Sequence, residues 1–176
     1  MTETQVILVN EFDRPSGVAG KLIAHEQGLL HRAFSIFIFN GKGEMLLQRR
    51  ASSKYHSGGL WSNACCSHPE PGQDTLHAAK QRLQEEMGFT TPLEKIFDFI
   101  YKAEFDNGLM EHEFDHVFAG EYEGKILLNK DEADDFCFKN MKEIGESLKT
   151  NSQKYTAWFQ IAFPRIEQWC ELRYKS

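Results

Sequence analysis

Within Leu109-Met110-Glu111-His112-Glu113-Phe114-Asp115-His116, two carboxylates stand two residues apart. On a strand, alternate residues share a face, so Glu111 and Glu113 point one way while His112, Phe114 and His116 point the other. Like charges at that separation repel unless a cation lies between them. Taken alone, the Glu-x-Glu pair reads as the solvated polar face of an edge strand, and it becomes a site only if other ligands converge on it. The available imidazoles are His25 and His31, which flank Glu26-Gln27-Gly28-Leu29-Leu30, and His68, which precedes Pro69 in an irregular loop. Their spacing matches no standard zinc signature. Three imidazoles with two carboxylates nonetheless suit a divalent transition ion such as Mn²⁺ or Zn²⁺.

A second group lies in Trp61-Ser62-Asn63-Ala64-Cys65-Cys66-Ser67-His68-Pro69. A cysteine two residues from an imidazole is a candidate reactive thiol, because a nearby cation favours the thiolate. Small buried fillers are the alternative, and it is expected to hold for at least one of the two cysteines. A third group closes a helical pattern at Arg82-Leu83-Gln84-Glu85-Glu86-Met87-Gly88, where Glu86 shares a face with Arg82 four residues earlier.

The elements that must position these groups follow from periodicity. Gln5 to Asn10 predicts a short strand ended by a turn over Asp13–Gly17. Ala33–Phe39 predicts a strand apolar on both faces, joined through Asn40-Gly41-Lys42-Gly43 to a partner at Met45-Leu46-Leu47. Residues 51–72 form a long irregular stretch of the kind that usually carries function. Asp74 caps a helix whose apolar face is Leu76, Ala79, Leu83 and Met87, stopped by Gly88. Ile96–Glu104 and Leu109–Tyr122 predict a hairpin around Asp106-Asn107-Gly108, and Lys125–Leu128 a further short strand before the acidic run Asp131–Asp135. Lys154–Tyr174 reads as helix, with Trp158, Ile161, Ala162 and Ile166 on one side and a kink or break at Pro164. The expected fold is α+β, an α/β/α sandwich in one domain spanning residues 1–176.

With 20 Lys and Arg against 26 Asp and Glu, the chain carries a net charge of −6. That balance argues against nucleic acid and against a polybasic membrane surface as partners, but leaves room for a small phosphorylated substrate held by a few local cations. At 41% hydrophobic with 14 Phe, the chain can build a core. The cysteines Cys65, Cys66, Cys137 and Cys170 form neither a disulfide framework nor a paired zinc motif. Without an apolar run of about 18–20 residues or a signal pattern, the expected setting is the cytoplasm, with reduced thiols.

Gln81-Arg82-Leu83-Gln84-Glu85-Glu86-Met87-Gly88-Phe89 resembles an altered Nudix box, whose ending is Arg-Glu-apolar-x-Glu-Glu-x-Gly-apolar. The Glu-Glu-x-Gly core is present, Gln81-Arg82 replaces Arg-Glu, and Ser67 and Gln73 stand where the upstream Gly and Glu are expected. Nearly the whole chain, from residue 5 to about 165, is similar to a divergent branch of that superfamily, the type I isopentenyl diphosphate isomerases. The matching segments are Lys21-Leu22-Ile23-Ala24-His25, Leu30-His31-Arg32-Ala33-Phe34-Ser35, Gln48-Arg49-Arg50-Ala51-Ser52-Ser53-Lys54 and Trp61–Pro69. Glu86-Met87-Gly88, Tyr101, Glu111-His112-Glu113 and Trp158 complete the match.

The resemblance implies a Nudix-like mixed sheet flanked by helices, with a Mn²⁺ or Zn²⁺ held by His25, His31, His68, Glu111 and Glu113. It implies a Mg²⁺ bridging a prenyl diphosphate to Glu86, helped by the Cys66 carbonyl, with Lys21, Arg50, Lys54 and Arg82 on the diphosphate. No flavin or nicotinamide is implied. Glu113 with Tyr101 would protonate the alkene, Cys66 would remove the allylic proton, and Trp158 would stabilise the cation between them. Asn63 three residues before and His68 two after select Cys66 over Cys65. A monomer or weak dimer is expected. The competing readings are a Mg²⁺-dependent Nudix pyrophosphohydrolase using Glu85 and Glu86, and a non-catalytic module built around a structural zinc.

Overall fold

The computed structural model describes residues 3–54 and 56–174. Its centre is β3 (His31–Phe39), joined in parallel along its full length to β8 (Met110–Glu121), which in turn pairs antiparallel with β7 (Glu94–Glu104). The other edge of β3 is shared in succession by β1 (Gln5–Val9), β6 (Cys65–Ser67) and β4 (Met45–Arg50). β4 also pairs with β5 (Trp61–Ser62) and with β9 (Ala133–Lys139). The sheet is therefore mixed, and β8 lies inside it, not at an edge.

Both faces of β3 are covered, which is why it reads as a continuous apolar run. Phe37 and Phe39 pack with Phe159, Phe163 and Ile166 of α4 (Ala157–Tyr174). Phe34, Ile36 and Ile38 pack with Ala79, Leu83 and Met87 of α2 (Thr75–Met87). Each such fully buried side chain contributes about 1.5–3 kcal/mol of transfer free energy. The sandwich of helix, sheet and helix expected from the sequence is the one observed. α2 starts as expected, with the Asp74 side chain accepting from the His77 amide, and ends at Gly88 in the left-handed conformation.

Several boundaries differ. The first turn falls at residues 10–14, closed by the Asn10 amide on the Arg14 carbonyl, and the chain returns as β2 (Pro15–Gly20) against β1. Residues 125–128 form no strand. The Leu127 amide instead bonds the Met87 carbonyl, and that of Asn129 the Glu86 carbonyl, satisfying carbonyls at the end of α2. The strand lies later, in β9, whose β-branch-free but aromatic Phe136-Cys137-Phe138 pairs with β4. Two helices carry little sequence signal: α1 (Lys21–Gln27) and α3 (Met141–Thr150), the latter capped by Asn140. α4 runs through Pro164 undivided, because Pro164 lies on the exposed side while Phe159, Phe163 and Ile166 anchor the inner side. Ile161 is on the exposed side too; Phe159 and Phe163 take the inner positions. No helix among the described residues is long and apolar enough to cross a membrane.

Candidate active site

Register builds the first half of the site. His31 on β3 lies opposite Glu113 on β8, and Glu113 lies opposite Tyr101 on β7, so one row across the sheet reads imidazole, carboxylate, phenol. Two residues earlier on β8, Glu111 shares the face of Glu113, as alternation requires. Both glutamates are buried, which excludes the solvated edge reading. His112 and His116 serve the opposite face: His112 Nδ1 donates to the Gly28 carbonyl at 3.1 Å, and His116 Nε2 lies 2.9 Å from Asp13 Oδ2.

α1 and its cap bring in the second histidine. Gly28 adopts φ +66°, turning the chain sharply enough that the rings of His25 and His31 stand 5.4 Å apart. A Cβ at Gly28 would also meet Met110 Cε at 2.8 Å. Both imidazoles are tied by backbone: His25 Nδ1 donates to the Lys21 carbonyl at 2.7 Å, and His31 Nδ1 to that of Leu29 at 2.8 Å. These bonds orient each ring so that its Nε2 faces the carboxylates of the cluster. His31 Nε2 is 3.2 Å and His68 Nε2 2.6 Å from Glu113 Oε2. The ligand-capable atoms of His25, His31, His68 and Glu113 all lie within 4.8 Å of one another, and Glu111 joins through His25 Nε2 at 3.7 Å. This oriented set of nitrogens and carboxylates fits a divalent transition ion.

Charge in the cluster is arranged for ligation. Burial alone would raise the Glu113 carboxyl, but His68 and His31 hold it well below the usual range. Burial and Glu113 likewise oppose ionisation of Glu111, and hydrogen bonds from His25 and His56 outweigh them, bringing it to about 2. Burial pushes His68 down to about 4, against the pull of Glu113. Tyr101 stays a phenol, its titration raised well above normal by burial and by Glu111 and Glu113. Its single proton is within reach of both carboxylates: the hydroxyl is 2.6 Å from Glu111 Oε2 and also bonds Glu113 Oε1.

The two adjacent cysteines part by the same alternation. Cys65, fully buried, joins the α2 side and donates to Glu86 Oε2 at 3.1 Å. Cys66 lies opposite Ser35 on β3, with Sγ 3.4 Å from Ser35 Oγ and donating to Asn63 Oδ1 at 3.2 Å. His68, expected to favour a Cys66 thiolate, turns its Nε2 to Glu113 instead. Burial and Asp115 raise the Cys66 thiol, against its hydrogen-bonded contacts with Ser35 and Asn63. Ser35 in turn donates to Asp115 Oδ2 at 2.7 Å.

Cys66, Tyr101, Glu111, Glu113, His68 and Trp158 line a cleft of about 360 Å³ that also contains Lys21, Arg50, Lys54, Arg82 and Glu86. His25 and His31, both 0% exposed, are buried behind it. Lys21 is lowered by burial and by the like charges of Lys54 and Arg50. Arg50 places its guanidinium 5.1 Å from the Trp158 ring centre, within cation–π range. Arg82 bonds Glu85 at 2.6 Å and Glu86 at 3.1 Å. The cleft thus brings an acid and a thiol together with four cations.

Three neighbours escaped the sequence reading. Glu132, within the acidic run, turns inward to pair with Lys54 and, at 3.3 Å, Arg82. Asp115 is two residues from Glu113 and so shares its face, a signal that alternation carried. His56 reaches Glu111 Oε1 with Nε2 at 3.0 Å from a loop with no periodicity to flag it.

Comparison with known proteins agrees. The NUDIX domain family matches residues 29–159. Isopentenyl-diphosphate Delta-isomerase 2 of Aromatoleum aromaticum is 49% identical over 164 residues, covering 93% of this chain and 87% of that relative. The isopentenyl-diphosphate Delta-isomerase of Pectobacterium atrosepticum is 48% identical over 166 residues, covering 94% and 93%. Among solved structures, a Deinococcus radiodurans protein gives a TM-score of 0.76 over 92% of this chain and 98% of that one, at 14% identity. The MutT protein from Methanosarcina mazei Go1 gives 0.65 over 79% and 94%, at 20% identity. These last two likenesses establish the fold. Identity and coverage establish the rest: the chain belongs to the isopentenyl-diphosphate Delta-isomerases, within the Nudix fold.

Proposed function

We propose that the protein interconverts isopentenyl and dimethylallyl diphosphate by protonation and deprotonation through a tertiary carbocation, supplying isoprenoid biosynthesis. One observation carries the reading: a proton held between two buried carboxylates and a thiol line the same cleft as four cations. An unactivated alkene is a poor base and needs a well-placed acid. Glu113 with Tyr101 delivers the proton to the terminal methylene, and Cys66 takes the allylic one. Trp158, buried and already engaged with the Arg50 cation, offers its π face to the developing charge and excludes water. Lys21, Arg50, Lys54 and Arg82 hold the diphosphate. His25, His31, His68, Glu111 and Glu113 hold a Mn²⁺ or Zn²⁺, and Glu86 a Mg²⁺. When bound, the first ion organises the carboxylates and the second offsets diphosphate charge.

Burial raises the Cys66 thiol while His68 and His31 lower the Glu113 carboxyl, a bias toward the protonation pattern of the reverse reaction. A pyrophosphohydrolase is disfavoured because Arg82 stands where the Nudix ending carries a metal-binding glutamate. A structural zinc module leaves the cationic end of the cleft without a purpose. We place the protein in the cytoplasm as a monomer or weak dimer, without nucleic acid or membrane as partners.

The test is proton exchange into isopentenyl diphosphate in deuterated water, with and without chelator, beside a phosphate-release assay. Deuterium uptake that chelation abolishes, with no phosphate released, is expected. Cys66→Ser is expected to lose most turnover while folded. Phosphate release, or near-normal turnover in Cys66→Ser, would overturn the assignment.

A further inference from the structure

His56 lies in the loop between β4 and β5 and is buried to 8% exposure. Its ring is fixed on two sides, stacked on Phe105 at 4.5 Å and 7°, and edge-on to Trp158 at 6.1 Å. Nδ1 is 3.1 Å from Ser57 Oγ, and Nε2 points to Glu111 Oε1 at 3.0 Å. The pattern repeats that of His25 and His31, one ring nitrogen occupied locally and the other turned inward. The ligand-capable atoms of His25, His56 and Glu111 lie within 4.8 Å of one another, a second group that shares His25 with the first.

Sharing decides how the two groups relate. The Nε2 of an imidazole has one lone pair and can bind one ion. Two ions cannot both use His25, so the groups describe a single centre, and His56 enters it together with Glu111. Ligand atoms around one ion at about 2.0–2.2 Å stand at most about 4.4 Å apart, so each group needs only a small contraction within itself, and one ion would draw the two together across His25. We infer that His56 is a further ligand of the transition-metal centre, which then comprises His25, His31, His56, His68, Glu111 and Glu113. The inference rests on the metal centre of the proposed function and sharpens it. Such a sphere is closed, leaving no position for water or substrate. The ion then acts only by fixing Glu111 and Glu113 around the Tyr101 proton.

The probe is Co²⁺, added to metal-stripped full-length protein and followed by its visible spectrum, by azide titration and by competition with a chelator. Wild type is expected to give the weak absorption of a six-ligand site, unchanged by azide. His56→Ala should absorb several-fold more strongly, respond to azide at the opened position and bind Co²⁺ about tenfold or more weakly. His56→Gln keeps an N–H donor for Glu111 but is a poor ligand, so it should behave as His56→Ala does; it also serves if the alanine variant does not fold. A wild-type spectrum with azide inertness in His56→Gln would overturn the inference, showing that His56 acts only by hydrogen bonding to Glu111. Wild type that takes up no Co²⁺ would overturn the centre as a whole, a result distinct from an intact centre indifferent to His56.

Discussion

The two ends of the cleft are organised in opposite ways. At the acid end, side chains project from β3, β7 and β8 and from α1, and backbone carbonyls of Lys21 and Leu29 hold two of the histidines. The cations proposed to hold the diphosphate, Lys21, Arg50, Lys54 and Arg82, come from a helix start, a strand end, a loop and a helix. Lys54 and Arg82 are both already paired with Glu132. The first arrangement loses little freedom when an ion arrives, since its rotamers and tautomers are set in advance. In the proposed function the second would exchange an internal carboxylate for an incoming diphosphate, so the proposed chemistry rests on rigid strands and the proposed recognition on exchangeable ion pairs.

The sharpest break in that contrast comes from Glu113→Gln. It removes the carboxylate that meets His31, His68 and Tyr101 at once, so turnover should fall by about 10³-fold or more. Circular dichroism should show the fold retained. A variant that keeps a tenth of normal turnover would mean the acid end is not where protonation occurs. Glu111→Gln should cost less in chemistry and more in metal: elemental analysis of the purified variant is expected to show lower occupancy, with binding weakened about 10–100-fold. Full occupancy would remove Glu111 from the ligand set.

Effects at the cationic end should be smaller and appear in binding. Glu132→Gln frees Lys54 from its carboxylate partner and relieves Arg82 of one of its three, so inorganic pyrophosphate should inhibit a few-fold more tightly, as expected for partly exposed ion pairs worth about 1 kcal/mol or less each. The same variant should leave Co²⁺ binding at the acid end unchanged. Weaker inhibition would mean that Glu132 serves to position the two cations, not to hold their place.

What the sequence reveals about each end follows the same division. Alternation along β8 put Glu111 and Glu113 on one face, and the apolar runs of β3 and α2 placed the core, because these depend on period alone. Convergence of His25 and His31 could not be read that way: it depends on a seven-residue helix and a left-handed glycine. The strand at 133–139 was hidden by the acidic residues that lead into it, and α4 overrode the break expected at Pro164 because its buried aromatic side fixes it to the sheet. His56 and Glu132 come from loops, where tertiary packing alone decides which way a side chain turns.

The smallest expected effect tests how finely the strand separates function from filler. Cys65 and Cys66 are adjacent, both free and both raised above the normal thiol range by burial. Only alternation distinguishes them, sending Cys65 to the α2 layer and Cys66 to the cleft. Cys65→Ala removes one sulfur from a fully buried position and leaves a small void, costing about 1 kcal/mol. For a domain of this size that is a fall of about 2–4 °C in Tm. Turnover should stay within about threefold of normal. The one route to a larger effect is the contact from Cys65 to Glu86 Oε2, which would show as a higher Mg²⁺ requirement and be rescued by excess Mg²⁺. A Cys65→Ala enzyme that Mg²⁺ cannot rescue would mean that the thiol facing α2 is the one that matters, and that the division of the site by sheet face is wrong.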